Sequence, residues 1–91
     1  MPEFTVAIET PKETTSDEDI WARVEETLRT SSEVSGAATL LDHRAGVISS
    51  TFQVQAPRLD VAQMIAIRVF ADALRGAGLE GAGWRIVEAG D

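Results

Sequence analysis

Hydrophobic side chains in this sequence change their spacing in a fixed order: every second residue, then every third or fourth, then every second twice over, then the helical spacing and the alternating spacing once more. A chain patterned in this way can bury its apolar side only by laying helices against a sheet, so the expected class is α+β. The segments nearly exhaust the 91 residues. No linker or internal repeat divides them, so a single domain over residues 1–91 is expected.

Phe4, Val6 and Ile8 alternate with Thr5, Ala7 and Glu9, a half-buried strand that should end at Pro11. Ser16 is placed to cap a helix whose first turn, Asp17-Glu18-Asp19, puts carboxylates at the positive end of the macrodipole. Ile20, Trp21, Val24 and Leu28 follow at helical spacing and, with Thr27, cover an arc of about 120°, the width of one buried stripe. Asp19 with Arg23 and Glu25 with Arg29 support the outer face at i,i+4. Residues 31–36 read as a loop. Strands over 37–41 and 47–55 then flank a hairpin connection, Asp42 to Gly46, in which Gly supplies a positive φ. Ile48, Ser50, Phe52 and Val54 share the inward face of the second of these strands.

Pro57 stops that strand, and Asp60 with Gln63 predicts a capping-box-like helix start. The second helix is apolar from Val61 to Leu74 over about 240° of its wheel, twice the arc of the first. Gly78 followed by Leu79 suits a left-handed C-cap, and Ala82, Trp84 and Ile86 align along a last strand. This order is that of a ferredoxin-like βαββαβ sandwich, a four-stranded antiparallel sheet with two helices on one face.

Charge is concentrated at the N-terminal third. Residues 1–33 carry nine acidic and three basic side chains, against six and five in residues 34–91, for a net charge of −7. Phosphate backbones and anionic lipid surfaces repel such a field, so neither nucleic acid nor membrane is an expected partner. There is no cysteine, hence no disulfide or thiol chemistry. The N-terminus lacks a basic leader region and the apolar stretches fall short of a membrane span, so a soluble cytoplasmic protein is expected.

Few residues suggest chemistry. Gly76, Gly78 and Gly81 satisfy G-x-G-x-x-G, but they leave a helix and enter a strand, the reverse of a pyrophosphate cradle. His43, the single histidine, sits in the hairpin connection without a recognisable nucleophile partner. Asp17, Glu18 and Asp19 lack the ligand loop of a calcium site and are accounted for by helix capping. No catalytic residue, metal or cofactor is therefore assigned, and a non-enzymatic role is expected.

An interaction surface is the better-supported reading. Packing on a sheet uses about half of the second helix's apolar arc and leaves Met64, Ile67, Ala71 and Leu74 over. Either the first helix covers them with Ile20, Trp21 and Val24, or they form an intermolecular patch with Trp21 as an anchor, for a second copy or another protein. The acidic surface of Asp17, Glu18, Glu25 and Glu26 would favour encounter with a basic protein. The alternative is a small-molecule regulatory or carrier domain using the open sheet face (Thr5, Ala7, Ser49, Thr51, Gln53) or the glycine-rich helix exit.

Overall fold

A computed structural model describes residues 2–11, 18–42, 44, 46–79 and 83–90. Along them run β1 (Glu3–Pro11), α1 (Glu18–Thr30), β2 (Val34–Asp42), β3 (Val47–Gln55), α2 (Leu59–Gly76) and β4 (Arg85–Gly90). The sheet has four strands in the order β2-β3-β1-β4, and every neighbouring pair is antiparallel. The α+β class read from the sequence is thus present. Among the described residues no helix is long and apolar enough to cross a membrane.

The period-two pattern decides which face is covered. Phe4 pairs with Val54, Val6 with Phe52 and Ile8 with Ser50, and all six lie on the buried side, together with Trp21, Val24 and Leu28 of α1 and Ala62, Ala66, Val69, Phe70, Ala73 and Leu74 of α2. Both helices therefore pack on one face. Residues of opposite parity, Thr5, Glu9, Ser49, Thr51 and Gln53, stay half-exposed on the other. Among the described residues two polar ones enter the core. Ser50 shares a 3.3 Å hydrogen bond with Thr39, whereas the buried Thr10 hydroxyl has no partner among the described residues.

Several local details differ from the sequence reading, each for a backbone reason. β2 begins at Val34 rather than Ala37, because Gly36 does not end a loop. It adopts φ 63° inside the strand, so that Gly36 and Ala37 together oppose Phe52 in a bulge. Thr27 is exposed and donates to the Arg23 carbonyl (2.9 Å) instead of joining the buried stripe. The expected i,i+4 pair Glu25–Arg29 forms at 2.9 Å. Ser16, Asp17, His43, Gly81 and Ala82 lie outside the described residues.

α2 starts at Leu59 with Arg58 as N-cap, whose side chain makes no capping hydrogen bond among the described residues. Asp60 already lies in the first turn, where its Oδ1 accepts from Arg58 Nε (3.1 Å), so the expected capping box is not what begins the helix. Its end matches expectation. Leu79 N–H donates to the Leu74 carbonyl (2.8 Å) and Gly78 N–H to that of Arg75 (3.1 Å), with Gly78 at φ 82°, a Schellman closure whose Leu79 packs on the core. The β2–β3 hairpin is held likewise by its turn residues. Asp42 accepts Gly46 N–H on its carbonyl and Arg44 N–H on Oδ1, both at 3.0 Å, while Gly46 takes φ 67°. β4 covers Arg85–Gly90 and contains a second bulge at Val87, and Trp84 ahead of it meets Phe70 edge to face, centroids 6.1 Å apart.

Candidate functional site

The rotation of α2 about its own axis settles the fate of its wide apolar arc. Ala62, Ala66 and Ala73 mark the centre of the buried side. One flank, with Ile65, Arg68, Val69 and Asp72, turns toward the end of α1: Arg68 pairs with Glu33, and Val69 and Asp72 face Thr27 and Thr30 across a shallow hollow. The other flank carries Leu74, Ile67 and Ala71 away from α1. At about 100° per residue it follows Phe70, which reaches Trp84 ahead of β4.

The five residues expected to form a docking patch are therefore divided. Leu74 (3% exposed) and Trp21 (5%) belong to the monomer's own core, the first beside Phe70 and the second on the inward stripe of α1, so neither is open to a partner. Ala71 is half-buried. Met64 (69%) and Ile67 (37%) remain exposed, a contact surface of two side chains. Of the acidic surface, Glu18 and Glu26 are exposed, Glu25 is half-buried and pairs with Arg29, and Asp17 lies outside the described residues.

The glycine-rich exit of α2 has its amides committed. Ala77, Gly78 and Leu79 N–H groups all donate to carbonyls of the last helical turn, which leaves none of the three for an anion. Among the described residues no group of three His, Asp or Glu side chains gathers to hold a metal ion.

What the sequence reading missed is on the open sheet face. Leu40 of β2, paired with Ser49, projects from that face and is 67% exposed. Leucines 40 and 41 are consecutive, and in a strand two consecutive side chains point to opposite faces, so this pattern could have revealed it. At one end of the same face lies a hollow of about 330 Å³ lined by Glu9, Pro11, Val47, Gly83, Trp84 and Arg85. The Arg85 guanidinium meets the Glu9 carboxylate there at 3.4 Å, joining β4 to β1. Leu40, Ser49 and Glu9 form one cross-strand row, so the hollow lies just across β3 from Leu40, and the next row inward, Ala38, Thr51 and Ala7, is small and uncharged.

No protein-family model matches this sequence, and no curated protein matches it at a significant level.

Proposed function

We propose that this chain is a non-enzymatic protein–protein interaction domain of ferredoxin-like fold, acting as a homodimer or docking onto another protein. The βαββαβ order, the strand order β2-β3-β1-β4 and the placement of both helices on one face support the fold. One observation carries the function: among the described residues no helix lies over one face of the sheet, and the centre of that face is uncharged in a chain a quarter of whose residues are charged. An uncharged centre with its acids, Glu3, Glu9, Asp42 and Glu88, at the margins suits contact with protein rather than solvent. Exposed Glu18 and Glu26 on α1 bias any second partner toward a basic protein. Sedimentation velocity of the purified chain at micromolar concentration tests this reading. A concentration-dependent dimer is expected; a monomer at every concentration that binds no protein would remove it.

A second reading, a small-molecule regulatory or carrier domain, is favoured by the hollow beside Val47 and Trp84, whose walls are largely apolar with one ion pair at the rim. Its signature is a thermal midpoint that rises with one member of a metabolite panel.

A further inference from the structure

We infer that a second copy of this chain covers the open sheet face, with Leu40 of each protomer seated in the hollow beside Val47 of the other. This rests on the interaction-domain reading and gives it a surface.

Charge narrows the choice first. Two chains of net charge −7 repel one another, so self-association must keep charged side chains out of the middle of the contact. The exposed side of α1 presents Glu18 and Glu26, and the exposed side of α2 alternates Asp60, Arg68, Asp72 and Arg75 around Met64. On the open sheet face the register places the acids Glu3, Glu9, Asp42 and Glu88 at the margins, with Glu9 paired to Arg85, while Thr5, Ala7, Ser49, Thr51 and Gln53 along the two central strands carry no charge.

Area narrows it further. Four strands about 4.8 Å apart and up to nine residues long span roughly 500–600 Å², so two such faces together clear the ~1,000 Å² expected of a specific interface. Met64 and Ile67 offer much less. Pairing through the sheet edges is disfavoured as well, because both outer strands are bulged, β2 at Gly36–Ala37 and β4 at Val87.

Shape selects the arrangement. The projecting Leu40 stands on β2 and the hollow opens over β1 and β4, on opposite sides of β3. A two-fold axis lying along β3 brings each leucine over the other protomer's hollow, the reciprocity that an isologous contact requires. Ser49 and Thr51, near the axis, then meet hydroxyls of the same kind, each able both to donate and to accept.

Two sets of variants test this. Leu40→Glu should raise the dimer dissociation constant by about a hundredfold, since it sets a second carboxylate beside Glu9 and against the apolar walls of the hollow, while Met64→Glu should change it less than about threefold. Circular dichroism and the thermal midpoint show that each variant folds, and both positions are exposed in the monomer. The double variant Leu40→Cys/Pro11→Cys, in a chain with no other cysteine, should form a covalent dimer on oxidation. Within one chain the two positions lie on β2 and β1 with β3 between them, roughly 10 Å apart and beyond disulfide reach. A wild-type dimer that Leu40→Glu leaves intact, or one that Met64→Glu breaks instead, overturns the sheet-face assignment while the interaction-domain reading stands. A wild-type chain that stays monomeric and binds no protein overturns both.

Discussion

Gly36 carries a backbone requirement that its neighbours in β2 do not. At φ 63° an L side chain is strained, and an added Cβ would lie 2.1 Å from Gln53 Oε1. Gln53 is flexible and half-exposed, so its amide can move aside and the backbone term dominates. Gly36→Ala should therefore cost about 1–2 kcal/mol in urea unfolding, whereas Gly83→Ala, with open space around it and no positive φ, should cost little. Thr10 is the reverse case, a position that a substitution should improve. Its buried hydroxyl has lost water without gaining a partner among the described residues, so Thr10→Val, which keeps the shape, should raise stability by about 1 kcal/mol. A loss of stability in the same assay would show that the hydroxyl is satisfied in solution. Neither effect was visible from residue types alone. Gly36 reads in sequence as the end of a loop, and the helix-facing parity of Thr10 says nothing about whether a donor stands near it.

Among the elements, β3 and α2 were the most legible, because each is long and carries an unbroken period. The end of α2 could be read to the residue, since Gly78-Leu79 fits one closure and the backbone amides form it. Its start could not: Asp60 and Gln63 have the right spacing, but the helix begins earlier, at Leu59. The rotation of α2 was equally hidden. A wide apolar arc does not say which of its edges meets the sheet, and that choice buried Leu74 and left Ile67 and Met64 in solvent. The same rotation sends Phe70 onto Trp84, which ties α2 to the entry of β4. A double-mutant cycle of Phe70→Leu and Trp84→Leu should return a coupling of about 0.5–1.5 kcal/mol, and a value near zero would mean that the two rings do not meet.

At the scale of the molecule, the helices close one side of the sheet and leave the other open, uncharged along its two central strands between Thr5 and Ser49 and bounded by bulged strands. The segment order made the layering legible. The proposed docking face was not, because the open side reads as merely polar until the exposure of Leu40 and the hollow beside Val47 are seen together. Net charge then makes opposite demands on the two kinds of partner. Raising ionic strength through the range where the Debye length falls from about 10 Å to about 3 Å should tighten self-association of these like-charged chains, and should loosen any complex with a basic protein. Titrating dimer mass against salt by sedimentation equilibrium reads the sign directly. The most direct test of the sheet-face contact is an isotope-filtered nuclear Overhauser experiment on a dimer mixed from labelled and unlabelled chains, observing the Leu40 methyls against the Trp84 ring. Within one chain β2 and β4 are three strand spacings apart, roughly 14 Å, so a cross-peak can arise only between protomers. That cross-peak is expected; its absence from a dimer whose Met64 methyl instead shows intermolecular contacts would contradict the account.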